Sequence, residues 1–411
     1  MTDKANTFVG LDMGGALTRC LVAVANGGHL RYLSCGVMPP VRWDDSDSAA
    51  WDATAESVYE VIREAEESAG ATIVSAVVGV GAGSVSSHLA HTGVTLPADM
   101  RKIRPRDVRA VIERAEQGLV RRGTTALQLV PLEFIAGPCS GLRDPIGYPA
   151  GRLEAFVRII AMRQSDHDSV SALVNGAGIG VKDTILGGFA AAFGTLEQEE
   201  MSEGVAHMEF GKTATSLTVY CRGCLRLAIG LPIGRDDLVE DIARTLKTSR
   251  PVASSLITDF GRIEFDLGQE GVLVFVPGSN PKDPVGSGAM RSCRFVNQII
   301  TRRVNDCFQM AHEELRNLAM QGDAVRSLVL SGDMAALPGI QGRAKDFLRL
   351  PTRIGLPSKL HDLPPALQHP GWACAAGSVL YAHRLAYWQE KDTNKQEALA
   401  SGGLRQGERA A

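Results

Sequence analysis

Two short acidic turns carry the residue types that could hold a metal ion and a phosphate group. Asp12 precedes Gly14 and Gly15, and Glu209 precedes Gly211. Glycine turns aim backbone N–H groups at an anion, and Mg2+ favours one or two carboxylates together with phosphate oxygens. The turns therefore predict a clamp for a magnesium–phosphate ligand, with Asp12 and Glu209 holding the metal ion. In the alternative interpretation, both acids only accept hydrogen bonds from turn amides.

The two turns belong to a pattern that occurs twice in the chain. Each copy has an acidic residue, an apolar residue, a glycine, a hairpin and a Gly-x-Leu-Arg run, from Asp12 to Arg31 and from Glu209 to Arg226. Solenoid and propeller repeats recur every ~20 to 50 residues, whereas these copies lie nearly half the chain apart. The spacing predicts a duplicated domain whose two lobes bring both turns to one cleft. Coincidence is the alternative.

Two other motifs suggest different chemistry. Cys221 and Cys224 have the spacing of half a zinc ribbon or a redox pair, but no second pair of ligands accompanies them. Gly211-Lys212-Thr213 looks like the end of a P-loop, yet a P-loop opens a helix, whereas residues 214–220 alternate like a strand. We therefore predict a hairpin there, and neither a metal or redox site nor a P-loop.

The elements that position the turns follow from hydrophobic periodicity. Three strands over residues 8–34 predict a β-meander, and a helix over 55–69, ended by Gly70, precedes a strand over 73–80. Short strand-like runs around a helix over 107–119 then predict an inserted subdomain. A mixed sheet with helices packed on it is typical of an α/β protein.

Composition excludes several classes of protein. The 411 residues predict two to three domains, at ~100 to 200 residues each. A net charge of -3 argues against a general nucleic-acid binder. No run approaches the ~18 apolar residues of a membrane span, and the N-terminal residues lack the apolar core of a signal peptide. We expect a cytoplasmic protein whose 8 cysteines stay reduced.

Over about residues 8 to 386 the chain resembles FtsA, the actin-like bacterial cell-division protein. The resemblance lies in the two turns and in Gly332-Asp333 after a predicted strand, and it is most specific in the inserted segment. That segment carries Leu129-Val130-Pro131, Gly141-Leu142-Arg143-Asp144-Pro145-Ile146-Gly147 and Gly151-Arg152-Leu153-Glu154. Actin, Hsp70 and the sugar kinases lack this subdomain. The implied fold is α/β: an actin-like (Hsp70/hexokinase-type) duplicated two-lobe fold with an FtsA-type inserted subdomain 1C.

The resemblance also divides the chain into segments. They are 1–83 and 164–203 (subdomain 1A), 84–163 (inserted subdomain 1C), 204–246 and 326–388 (subdomain 2A), 247–325 (subdomain 2B, partner-binding) and 389–411 (a C-terminal tail). The tail is rich in Gln, Gly, Glu and Ala, which predicts disorder. It lacks the bulky apolar face of an amphipathic membrane helix, so the sequence leaves membrane contact open.

The resemblance implies ATP with Mg2+ as the cofactor. The residues implied to bind it are Asp12, Gly14, Gly15, Glu209, Gly211, Lys212, Thr213, Gly234 and Gly332, with Asp12 and Glu209 as metal ligands. The chain departs from the family pattern in two places. The first turn of the family has a Ser or Thr after the glycine and a lysine two residues further on, whereas Ala16 and Leu17 follow Gly15 here, so both the hydroxyl and the cation are missing. In addition, Asp333 replaces a glycine. Each lost charge-assisted hydrogen bond is worth roughly 1.5 to 3 kcal/mol. We therefore expect weak ATP binding, partly restored by Lys212, no catalytic residue, and at most a weak ATPase.

As a member of this family, the protein would be an adaptor. The resemblance implies binding to FtsZ filaments, anchoring of the Z ring at the cytoplasmic face of the inner membrane, recruitment of later division proteins, and self-association. Arg303, with Arg291 and Asn297 on the preceding part of the same predicted helix, are the expected partner contacts. An actin-superfamily ATPase or kinase and a pilus-assembly actin homologue are the alternatives. The inserted segment favours the division protein.

Overall fold

The computed structural model describes residues 7–26, 29–39, 48–97, 101–117, 123–263, 271–278 and 287–387. The strands are β1 (Thr7–Asp12), β2 (Thr18–Asn26), β3 (His29–Met38), β4 (Ser75–Val80), β5 (Val85–Thr95), β6 (Thr124–Ala136), β7 (Cys139–Leu142), β8 (Arg152–Arg163), β9 (Gly180–Leu186), β10 (Val205–Phe210), β11 (Thr215–Cys221), β12 (Cys224–Leu231), β13 (Leu273–Pro277), β14 (Gly288–Ser292), β15 (Ser327–Gly332) and β16 (Thr352–Ile354). The helices are α1 (Ser48–Ala69), α2 (Pro105–Glu116), α3 (Gln164–Gly176), α4 (Gly187–Thr195), α5 (Gln198–Glu203), α6 (Arg235–Leu246), α7 (Arg250–Phe260), α8 (Cys293–Met320), α9 (Ile340–Leu348) and α10 (residues 373–387).

The first lobe is built on a sheet with the strand order β3-β2-β1-β4-β9. β1 to β3 form an antiparallel meander, and β4 and β9 extend it in parallel. The apolar strand residues Leu11, Leu21 and Val78 are fully buried in a core shared with the covering helices. The predicted meander is confirmed. The first helix is longer than predicted, because it begins at Ser48.

The second lobe repeats this plan with the strand order β12-β11-β10-β15-β16. β10 to β12 form the antiparallel meander, and β15 and β16 run parallel to β10. β10 is therefore the counterpart of β1, and Asp12 and Glu209 lie at the same end of equivalent strands. The predicted duplication is confirmed.

An antiparallel sheet with the order β5-β8-β6-β7 lies between β4 and α3 in the chain. Helix α2 packs on it, and the two share a hydrophobic core of their own in which Val111, Leu153 and Val157 are fully buried. The predicted helix ends earlier than expected, at Glu116. A separate core shows why this segment can be inserted into the first lobe without disturbing its sheet.

Helices α6 to α9 and the hairpin β13–β14 belong to the second lobe. Val296, Ile300 and Phe308 on one face of α8 are buried against Ile242 of α6 and Ile257 of α7. The chain then returns to the first lobe, where α10 packs on β1. A Cβ on Gly10 would lie 2.3 Å from the carbonyl oxygen of Ala375, so only glycine permits this approach.

Two membrane-related observations concern the described residues and the tail. Among the helices that the structure describes, none is both long and apolar enough to span a bilayer. The predicted disordered tail, 389–411, lies outside the described residues.

Candidate functional site

The two glycine turns meet directly at the cleft between the lobes. The backbone N–H of Lys212 donates to the carbonyl of Gly14 over 2.9 Å, and that of Gly211 donates to Ala214 across its own turn over 3.1 Å. The hairpin that contains Gly211-Lys212-Thr213 joins two strands, so the P-loop alternative is wrong. The structure thus brings both predicted turns together and bonds one to the other.

Asp12 satisfies its own turn. Its Oδ1 accepts hydrogen bonds from the N–H groups of Gly14, over 2.9 Å, and Gly15, over 3.2 Å. Only 2% of its surface is exposed. Burial raises the pKa of Asp12 to about 6, against the opposing effect of nearby Arg19. These contacts are the ones that the alternative interpretation of the acidic turns predicts for Asp12.

Glu209 is buried next to Asp12, and among the described residues its carboxyl group forms no salt bridge, although Ser216 and the more distant Arg19 partly oppose the effect of burial on its pKa. Burial raises the pKa of Glu209 to about 8, and the neighbouring Asp12 and Asp333 carboxylates add to the rise. A carboxyl group in this environment keeps its proton at neutral pH. Among the described residues, no group of three or more His, Cys, Asp and Glu side chains is arranged to hold a metal ion.

An ion pair crosses the cleft beside these acids. Arg19 on β2 contacts Asp333, which follows β15, through both of its terminal nitrogens. Asp333 Oδ2 also accepts a hydrogen bond from the N–H of Ala16, over 3.2 Å. The guanidinium of Arg19 lies 5.5 Å from the centre of the Trp372 ring. The side chain that replaces a family glycine is therefore tied to the first lobe.

A cavity of about 830 Å³ opens next to this pair, between the first turn, α6 and α7. Arg235 crosses its wall and donates to the Ser254 hydroxyl over 2.9 Å. The lining side chains include Ala16, Leu17, Lys212, Arg235, Asp236, Arg250, Ser254, Thr258, Asp333 and Met334. Ser254 and Ile257, both on α7, line this cavity.

Two glycines implied by the resemblance are required by close packing. A Cβ on Gly332, whose φ is +83°, would lie 2.3 Å from the carbonyl oxygen of Phe210. A Cβ on Gly234 would lie 2.4 Å from that of Lys212. Gly234 also donates its N–H to Asp237 over 2.8 Å at the start of α6. Packing of the second lobe accounts for both positions.

The residues at the cleft do not fit a magnesium-bound nucleotide in the arrangement described. The N–H groups of Gly14, Gly15, Ala16, Gly211 and Lys212 already donate within the chain. Ala16 supplies no hydroxyl group. Glu209, which was expected to bind Mg2+ from the second turn, favours its protonated form because its pKa is raised to about 8.

Of the three expected partner contacts, Asn297 is contradicted by its burial and Arg291 lies on a different element from the one predicted. Asn297 is 1% exposed, and its Oδ1 accepts the N–H of Arg262 over 2.9 Å, so it holds α8 in place instead of facing a partner. Arg303 pairs with Asp241 over 2.6 Å. Arg291 is exposed but lies on β14, because α8 begins only at Cys293.

Sequence reasoning missed the two features that the structure makes prominent. Arg19 lies directly before the apolar run from Cys20 to Ala25 in β2, and that local contrast was its only signal in the sequence. The second feature is an exposed apolar face on the hairpin β13–β14, formed by Leu273, Phe275 and Met290. The alternation of apolar and other residues in these two strands is short. The local sequence also does not show whether another element of the chain covers this face.

A family model described as "SHS2 domain inserted in FTSA" matches residues 82–161. Curated relatives are similar over most of their length. The cell division protein FtsA of Borreliella burgdorferi is 27% identical, over 96% of this chain and 94% of that protein. FtsA of Pseudomonas aeruginosa is 25% identical, over 91% and 88%. FtsA of Bacillus subtilis is 26% identical, over 92% and 84%.

Solved structures show the fold. A chain of the PilM–PilN type IV pilus biogenesis complex matches with a TM-score of 0.67 at 17% identity, covering 91% of this chain and 98% of that one. MreB5 of Spiroplasma citri bound to ADP matches with a TM-score of 0.53 at 11% identity, covering 94% and 98%. The fold is actin-like, with the inserted subdomain that the family model describes.

Proposed function

Since this chain belongs to the FtsA family of cell-division proteins, we propose that it is an adaptor that binds FtsZ filaments. In this role it helps assemble or anchor the Z ring at the cytoplasmic face of the inner membrane and recruits later division proteins. The observation that carries the proposal is similarity to FtsA proteins over 84% to 94% of their length, together with the inserted subdomain.

The exposed face of the hairpin β13–β14 is the best-supported docking surface for FtsZ. Phe275 pairs with Met290 across the hairpin, and Leu273 lies two residues before Phe275, so the three side chains share one face. They are 48%, 54% and 54% exposed. Val276, on the opposite face, is buried in the core of the second lobe, which fixes the orientation of the hairpin.

Phenylalanine and methionine are both enriched at protein interfaces relative to the rest of the protein surface. Phe295, in the first turn of α8, is also 42% exposed and extends the apolar surface next to β14. Full burial of one such side chain is worth ~1.5 to 3 kcal/mol, or about tenfold to a hundredfold in affinity. Polar groups at the edge, including Arg291, would fix orientation more than strength.

Co-sedimentation with GTP-assembled FtsZ filaments from the same organism tests the proposal. We expect saturable pelleting of the parent protein, weakened about tenfold or more by Phe275→Ser and by Met290→Ser. Met320→Ser is the matched control, because Met320 is 77% exposed at the far end of α8. Pelleting in the absence of FtsZ measures self-association in the same experiment.

Either of two results contradicts the proposal. Absence of saturable pelleting at micromolar concentrations would contradict the adaptor function. Equal losses of pelleting for Met320→Ser and for the hairpin variants would contradict the proposed docking surface but not the adaptor function. Arg303→Glu, the obvious charge reversal, is a poor probe because it places a carboxylate against Asp241 and disturbs the fold.

The alternatives receive less support from this chain. Similarity to the pilus protein is at 17% identity and shows the fold alone. An adaptor does not need to hydrolyse ATP. The backbone N–H groups of the two glycine turns, which would bind phosphate, already donate hydrogen bonds within the chain. Vesicle flotation of the full chain, with and without residues 389–411, tests the remaining question of whether the tail or a partner supplies membrane contact.

A further inference from the structure

Arg19 and Asp333 join the two lobes by a contact that is bidentate. Arg19 Nη1 donates to Asp333 Oδ2 over 3.1 Å, while Nη2 pairs with Oδ1. One residue lies in the first lobe on β2, and the other follows β15 in the second lobe. Two parallel charge-assisted hydrogen bonds fix the distance and the relative orientation of their partners. The pair is therefore a geometric link between the lobes.

The Asp333 carboxylate binds the donors that suit a phosphate group. Besides the guanidinium, it accepts the N–H of Ala16 in the first glycine turn, over 3.2 Å. Backbone N–H groups of a tight turn and arginine are the two common anion-binding donors in proteins. The carboxylate of Asp333 thus stands chemically where phosphate oxygens would be expected.

Burial separates the arginine from the cavity. The Arg19 side chain is 3% exposed and is covered on one side by Trp372, whereas that of Asp333 is 18% exposed. Asp333 lines the cavity and Arg19 does not. A ligand in the cavity therefore meets the carboxylate before it can reach the guanidinium, and two negative groups would repel each other there.

We propose that Asp333 is a built-in anion that takes the place of a nucleotide phosphate, so that the Arg19–Asp333 pair holds the two lobes closed without a ligand. The hydrogen bond from Lys212 N–H to the carbonyl of Gly14 closes the same cleft at the two turns. Removal of the carboxylate frees the guanidinium and the Ala16 N–H. A phosphate-bearing ligand then becomes the agent that closes the lobes.

The test compares the full-length parent with Asp333→Ala in two measurements. Calorimetric titration with ATP and Mg2+, and separately with pyrophosphate, measures anion affinity; small-angle X-ray scattering measures the radius of gyration. We expect Asp333→Ala to bind both ligands at least about tenfold more tightly than the parent, since it frees charge-assisted donors. Its radius of gyration should exceed that of the parent without ligand and return toward it with ATP.

Control variants show whether a gain in affinity comes from breaking the Arg19–Asp333 pair or from the loss of any carboxylate. Asp346→Ala removes an exposed carboxylate on α9 and should bind like the parent. The double variant Arg19→Gln/Asp333→Ala should lose the gain, because the freed guanidinium is absent. If Asp333→Ala does not fold, Asp333→Asn removes the charge at nearly constant volume and is expected to show a smaller gain.

Three results would overturn the proposal. Equal affinity of the parent and the Asp333 variants for both ligands would show that the carboxylate does not occupy a phosphate position. A gain in affinity with an unchanged radius of gyration would show that Asp333 blocks the site without holding the lobes. A gain that persists in the double variant would exclude Arg19 as the freed donor. None of these results depends on FtsZ binding.

Discussion

Glu209→Gln should make the free energy of unfolding depend less on pH. The pKa of Glu209 is about 8 in the folded chain, because of burial and then of Asp12 and Asp333, against an ordinary value of 4.5. Between these two values, the folded chain holds a proton that the unfolded chain has released. Stability therefore falls as pH rises through this window, since the unfolded state binds fewer protons.

The size of the effect follows from the two pKa values. One proton held by the folded state alone changes the free energy of unfolding by about 1.4 kcal/mol per pH unit. Between pH 5 and pH 7, Glu209 should thus cost the parent about 2 to 3 kcal/mol of stability. Glutamine carries no titratable proton, so the free energy of unfolding of Glu209→Gln should not show this loss. Between pH 5 and pH 7 it should therefore fall by about 2 to 3 kcal/mol less than that of the parent.

Urea unfolding at pH 5, 6 and 7, in EDTA, measures this difference directly. Glu200→Gln is the matched control, since Arg353 lies beside Glu200 and the pKa of Glu200 is lowered in spite of burial. Its folded and unfolded forms are both largely ionised above pH 5, so its pH slope should match that of the parent. If Glu209→Gln also keeps the parental slope, Glu209 does not hold a proton in the folded chain.

Two further predictions concern stability. Asn297→Ala leaves the N–H of Arg262 without its acceptor and should lower the free energy of unfolding by about 1 to 3 kcal/mol, measured in urea, while the folded fraction still pellets with FtsZ. A loss of pelleting at unchanged stability would restore Asn297 as a partner contact. Gly377→Ala should destabilise the chain in thermal unfolding, because its Cβ would lie 1.7 Å from the carbonyl oxygen of Ala190, whereas Gly176→Ala, with open space around it, should not. Equal melting temperatures for the two glycine variants would contradict the packing of α10.

The duplicated architecture was predictable from residues close together in sequence. Apolar alternation around Gly14 and Gly211 predicts the two hairpins without knowledge of the rest of the fold, because strand periodicity and turn chemistry act over a few residues. The inserted segment was predictable from its own motifs and has its own core around Leu153. Element ends were less accurate, as at Ser48 and Glu116, because caps and tertiary packing set where a helix stops.

The candidate site was predictable only in part. The acidic turns were located correctly, and the structure brings Asp12 and Glu209 together. The expected helix position of Arg291 was wrong, because the helix pattern does not show where α8 begins. Burial of Asn297 was also missed, because a polar residue on a helix is usually exposed and only packing against the segment of Arg262 places it inside.

The sequence by itself determined that the chain has two equivalent hairpin lobes, an inserted subdomain and two acidic glycine turns, since each of these depends on local periodicity and turn residues. Only the tertiary structure decided how those turns are used. Arg19 and Asp333 meet although 314 positions separate them, and Phe275 remains exposed because no element of the described chain covers its face of the hairpin. The physical reason is that periodicity assigns a side chain to a face, whereas the partner of a charged group and the cover of an apolar face depend on how whole lobes pack.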